Sequence, residues 1–161
     1  LERLAEGGNP DAYLEAADAS TAVRETAAGG GVIAPGTDGS VVVDLNGRRD
    51  LHLTVTTMLV NTNDAFAGLD SAAIASLAVQ ESTTFDVAAW DAGTEANGET
   101  AGDIPGPAAG GEGYNPGRDD TDRVSIHPGV VSADDGLTTS ALGEQHRFDN
   151  PVARVTVTRL Q

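Results

Sequence analysis

The sequence predicts a mainly antiparallel β fold with one or two short helices at its start, and three observations carry that prediction. Between residues 40 and 158, short runs alternate apolar and polar side chains with the period of a strand. Turn residues separate these runs, in a chain that holds 20 Gly and 7 Pro. Helical spacing is confined to the first two dozen residues. Separated short strands joined by turns predict an antiparallel β-sandwich. The 161 residues suit a single domain, 1–161, with enough apolar content to form a core (39%). Aromatics are only 4%, so small and β-branched residues must fill much of that core.

The elements follow in order. Leu1, Leu4 and Ala5 repeat at helical spacing, and Gly7-Gly8 ends that turn. Asn9-Pro10-Asp11 reads as a cap with Pro at the helix start, opening a second helix over Ala12–Val23 that Gly29-Gly30-Gly31 interrupts. Val41, Val43 and Leu45 then alternate with Ser40, Val42 and Asp44, and Asn46-Gly47 is a hairpin signal. Leu51, Leu53 and Val55 form the returning strand, with a slip in the alternation at Thr57-Met58. Further strands are expected at Phe85–Ala89, at Val124–Ile126 and at Ala153–Thr158. The stretch from Ala92 to Asp122 has almost no apolar periodicity and reads as a long loop of the functional or mobile kind. Phe66, Phe85, Val87, Leu53, Val55, Val155 and Val157 are expected in one core.

Charge narrows the function. The formal net charge is −16, from 25 acidic and 9 basic residues, and every basic one is Arg. An acidic, Lys-free surface suits a protein working in concentrated salt, where self-repulsion is screened over about 3 Å. It speaks against nucleic acid, because no basic patch is present to displace phosphate counterions. There is no Cys, so neither disulfides nor thiolate metal sites arise. No run approaches the roughly 20 apolar residues of a membrane span.

Two segments carry oxygen ligands directly after apolar strands. The first is Trp90-Asp91-Ala92-Gly93-Thr94-Glu95-Ala96-Asn97-Gly98-Glu99, where carboxylates and an amide lie among glycines. The second is Met58-Leu59-Val60-Asn61-Thr62-Asn63-Asp64-Ala65-Phe66. Calcium takes six to eight hard oxygens from carboxylates, amides, carbonyls and water, and these segments offer several. The spacing is not that of an EF-hand. Solvated acidic turns are the alternative reading, as is a solvated charge run for Asp119-Asp120-Thr121-Asp122. His52, His127 and His146 lie far apart in sequence and read as ordinary structural residues. No nucleophile elbow, phosphate loop or dinucleotide fingerprint is present.

Met58-Leu59-Val60 with Asn63-Asp64-Ala65-Phe66, then Asp91-Ala92-Gly93-Thr94-Glu95, then Asn150-Pro151-Val152-Ala153-Arg154-Val155-Thr156-Val157, resemble the spondin amino-terminal domain family in matching order. Leu1 to Pro10 resembles a helical segment of its microbial, haloarchaeal members. The resemblance implies a β-sandwich similar to calcium-dependent membrane-binding domains, in extracellular or cell-surface proteins, with bound calcium. It carries the metal ligands to Asp64, Asp91 and Glu95, with Asn63 and Asn97 as further candidates. Animal members have Asp where this chain has Glu95, whose longer reach changes the geometry. It also implies a strand before Leu1, so that either the chain is trimmed or a sheet edge is left open.

The expected function is a non-enzymatic, calcium-binding structural or interaction domain, extracellular or at the cell surface, meeting a protein or glycan partner. The alternative is a subunit of a calcium-dependent surface filament assembled by strand addition. A hydrolase using paired carboxylates is the third reading, and the wet, Gly-rich loop speaks against it.

Overall fold

In a computed structural model the described residues are 1–45, 50–118 and 120–161. The fold is mainly antiparallel β with two short N-terminal helices. Helix α1 (Glu2–Gly7) is closed by Gly8 in the left-handed region, φ 67°, whose N–H reaches back to the Leu4 carbonyl while the Asn9 N–H reaches that of Arg3. Helix α2 (Asp11–Asp18) opens where the Asn9 side chain accepts from the Asp11 N–H at 2.8 Å. It stops well short of Val23: Ser20 and Thr21 favour turns and caps over helix interiors, and no residue of α2 is buried to hold further turns in place.

Among the described residues, five strands form one curled antiparallel sheet, a half-barrel: β1 (His52–Met58), β2 (Ala65–Ala73), β3 (Ser82–Asp91), β4 (Ser125–Ile126) and β5 (Ala153–Thr158). Strand β1 pairs β2, with Met58 opposite Phe66 and the register shifting between Leu53 and Val55. The irregularity thus lies earlier than Thr57-Met58. Strand β3 is the spine. Its C-terminal half lies between β2 (Phe66 opposite Trp90) and β4 (Trp90 opposite Ile126), while its N-terminal half pairs β5, with Phe85 opposite Val155.

Strand β2 is absent from the sequence reading, because Gly68, Asp70 and Ser71 break its apolar alternation. Conversely, the strand expected over Ser40–Leu45 does not form, and Val41, Val42 and Val43 are exposed. The Asn46-Gly47 turn lies outside the described residues.

The single expected core is also redistributed. Phe66 and Val87 are buried, whereas Leu53, Val55, Phe85, Val155 and Val157 are half-buried, since among the described residues no second layer of strands closes over them. Burial is concentrated at the loop end of the sheet. One cluster joins Ala5 of α1 to Phe66 and Ala92, with Leu1 and Trp90 against it. A second cluster, Ile104, Val130 and Leu142 with Phe148 beside it, is built entirely from the irregular segments after β3. Gly68 lets this end pack. A Cβ there would lie 2.7 Å from the Phe66 ring and 2.9 Å from the Trp90 ring, whose Nε1 donates to the Gly68 carbonyl at 3.1 Å.

Candidate functional site

The two oxygen-rich segments meet. The turn between β1 and β2 carries Asn63 and Asp64 into the sheet end, where the last residue of β3, Asp91, and the loop beyond it arrive beside them. Asp64 is fully buried, and its Oδ2 accepts the backbone N–H groups of Thr94 (2.7 Å) and Glu95 (3.0 Å) and the Thr94 hydroxyl (3.3 Å). Asn63 completes the stitch: its Nδ2 donates to Glu95 Oε1 at 3.1 Å, and its Oδ1 accepts the Glu99 N–H at 3.2 Å. Asp91 turns its own loop, Oδ1 accepting the Gly93 N–H at 2.7 Å and Oδ2 taking the Asn97 amide. Gly93 has φ 70°, and a Cβ there would sit 2.4 Å from the Arg123 carbonyl, so the loop closes against the strand leading to β4 only without a side chain.

The predicted residues are therefore neighbours, divided into two groups. Asp64 and Asp91 face one another closely enough for repulsion from Asp91 to add to the burial that lifts the Asp64 carboxyl above its ordinary range. Glu95 turns instead toward Arg118, whose Nη1 lies 3.2 Å from Oε1 and 2.9 Å from Asp103. Burial outweighs the Asn63 and Arg118 contributions and pushes Glu95 up to about 7.

Glu6 and Arg118 were not anticipated, and Glu99 was read only as one of the oxygen donors after β3. Glu6 comes from α1 and is fully buried; its Oε2 accepts the Asn115 N–H at 3.0 Å, and burial raises its carboxyl against Asn115, Thr94 and Arg118. Nothing in a six-residue amphipathic helix marks one Glu as an inward residue. Glu99 fastens the second cluster, accepting from the Val131 N–H (2.9 Å) and the Ser140 hydroxyl (3.1 Å), and burial raises its carboxyl as well. Arg118 also donates to the Gly113 carbonyl. A lone cation within a long acidic loop was its available signal.

Three buried carboxylate oxygens have no hydrogen-bond partner among the described residues: Glu6 Oε1, Asp64 Oδ1 and Glu95 Oε2. Buried polar atoms are ordinarily satisfied, and an unsatisfied carboxylate oxygen is a ligand that a hard cation accepts. That donor chemistry fits calcium. Among the described residues, however, no three Asp, Glu or His side chains converge into a ready-made metal cluster. A cation beside Asp64 and Asp91 would need backbone carbonyls and water to complete its shell.

The histidines stay apart. His52 is exposed on β1. His127 is buried against Phe148, its Nδ1 accepting the Gly129 N–H at 3.0 Å, and burial lowers its pKa. His146 Nδ1 accepts the Gly143 N–H. Of the acidic run after Arg118, Asp120 and Asp122 are exposed and Asp119 lies outside the described residues. No described helix is long and apolar enough to cross a membrane. No family model, curated protein or solved structure matches the chain.

Proposed function

We propose that this chain is a calcium-stabilised, non-enzymatic interaction domain of the spondin amino-terminal type, belonging to a secreted or cell-surface protein. The observation that carries the reading is Asp64: a fully buried carboxylate that fastens the Thr94-Glu95 backbone, lies beside Asp91 and leaves Oδ1 unpartnered. Asp64 and Asp91 would hold the cation, with Asn63, Glu95 and Asn97 lining it. The cation supplies positive charge where burial and mutual repulsion penalise two carboxylates, and so ties the β1–β2 turn to the loop after β3. Its role is structural. An extracellular protein or glycan is the expected partner class.

Thermal unfolding in calcium and in chelator tests the reading. Calcium at a hundredfold excess over its Kd should add about 2.7 kcal/mol. Asp91→Ala should abolish that increment and cost less in chelator. Unfolding that is the same with calcium and with chelator overturns the calcium site.

A further inference from the structure

Helix α1 brings a carboxylate into the interior. Leu4, Ala5 and Glu6 are all buried, Glu6 fully. Ala5 packs with Phe66 and Ala92, so Glu6 arrives at the start of the loop that carries Glu95. The 114–115 segment grips the helix from the other side. Arg3 stands 4.6 Å over the Tyr114 ring, and the Asn115 N–H donates to Glu6 Oε2 at 3.0 Å. Among the described residues the other oxygen of Glu6, Oε1, has no hydrogen-bond partner. Glu95 repeats the arrangement. It is 3% exposed, and its Oε1 meets the Asn63 amide at 3.1 Å and Arg118 Nη1 at 3.2 Å. Its Oε2 has no partner among the described residues.

Charge around these two oxygens does not balance. Glu6 stands near enough to Glu95 for its repulsion, after that of Asp103, to add to the burial that lifts the Glu95 carboxyl. Arg118 is the cation set among them, 2.9 Å from Asp103 as well. Three carboxylates against one guanidinium leave two negative charges over when all are ionised. Buried carboxylates of this kind are ordinarily paired or hold a metal. Both free oxygens are hard donors, the type that calcium takes. Magnesium gives up its waters reluctantly, and a buried pair leaves them little room, so calcium fits better. Arg118 Nε is buried without an acceptor too, and a water on the cation would accept from it.

We propose that Glu6 Oε1 and Glu95 Oε2 bind a second calcium ion, apart from the one placed at Asp64 and Asp91. Among the described residues no third Asp, Glu or His converges with this pair. Two carboxylates therefore match the charge of the ion, and water and loop carbonyls complete its shell. The ion ties α1 to the loop after β3, elements that Ala5 and Ala92 otherwise join only by apolar contact. The proposal goes beyond the calcium reading above and does not depend on it.

Calorimetric titration of the full chain with calcium is the test, at a pH above the value of about 7 to which Glu95 is raised. Concentrated KCl screens the surface carboxylates, so weak external binding drops out. Glu6→Gln should lower the number of bound calcium ions by one. It keeps an acceptor for the Asn115 N–H and removes a buried charge, so it should fold. Glu95→Gln should lose the same ion and decides if Glu6→Gln does not fold. Calcium should also slow hydrogen exchange at the Leu4, Ala5 and Gly8 amides at least about tenfold in the parent chain. That slowing should vanish in Glu6→Gln and persist in Asp91→Ala. A count unchanged by both Gln variants overturns the proposal, and so does calcium that leaves exchange in α1 unchanged. A single ion lost in Asp91→Ala alone overturns it and leaves the Asp64–Asp91 site standing. A single ion lost in the Gln variants alone supports it and overturns that other site. A single ion lost in all three variants is one shared site, which overturns a second ion.

Discussion

The loop end of the sheet and the segment before β1 invert the usual division between inside and outside. At the loop end, Glu6, Asp64, Asp91, Glu95 and Glu99 are buried. Before β1, Val32, Val41 and Val42 face solvent. Burying carboxylates is costly unless donors or cations meet them, and exposing a β-branched run is costly unless something covers it. The first region meets most of its cost internally, through Arg118, Asn63 and backbone N–H groups. The second leaves its β-branched side chains in solvent. That difference separates a site stabilised from inside from a surface left open.

The largest effect should come from removing the internal cation. Arg118→Ala leaves Glu95 buried without its partner and should cost about 3–5 kcal/mol in urea unfolding with chelator present. A loss below about 1 kcal/mol would mean that Glu95 is held protonated and that Arg118 contributes little. Next comes the apolar comparison at the two ends of the sheet. Phe66→Ala removes a buried ring and should cost about 3–5 kcal/mol, whereas half-buried Phe85→Ala should cost about 1–2 kcal/mol. Equal costs would show that the Phe85 face is covered in solution.

The pH dependence follows from Glu95. Unfolded, it releases its proton near its ordinary value of 4.5; folded, it keeps the proton up to about 7. The folded state therefore binds more protons between those values, and its stability must fall as pH rises through that window. In chelator the decline should reach up to about 3 kcal/mol, and Glu95→Gln should flatten it. A flat parent profile would place Glu95 in a wetter setting. The smallest effect belongs to the exposed segment: Val42→Ser should change monomer stability by no more than about 0.5 kcal/mol. A larger loss would put Val42 inside a packed layer.

The sequence made β3, β4 and β5 legible because period-two alternation there coincides with real pairing. It made the meeting of Asn63-Asp64 with Asp91–Glu95 legible through polar loops that both follow apolar strands. It misplaced Val41–Leu45 because alternation states what a segment would do beside a partner, not whether one is present. It missed β2 because a strand held by Trp90 over Gly68, and by neighbours on both sides, tolerates Asp70 and Ser71 on its open stretch. The partners of Glu6 and Arg118 were beyond reach for another reason. Their roles depend on α1 and the 113–118 segment arriving at one place, and no local pattern encodes that convergence.

The spine position of β3 also sets an order of assembly. Strands β1 and β2 need only the short turn of residues 59–64 to meet, so their hairpin closes a small loop. The joint between β3 and β5, beginning at Val87 opposite Ala153, closes only after residues 88–152 have been gathered between them. Pairings so distant along the chain form slowly, because the loop entropy is lost before any bond rewards it. The half of β3 that β5 covers is therefore expected to be the last part of the sheet to close, with the Asp64 contacts to the loop after β3 formed while that flank is still open.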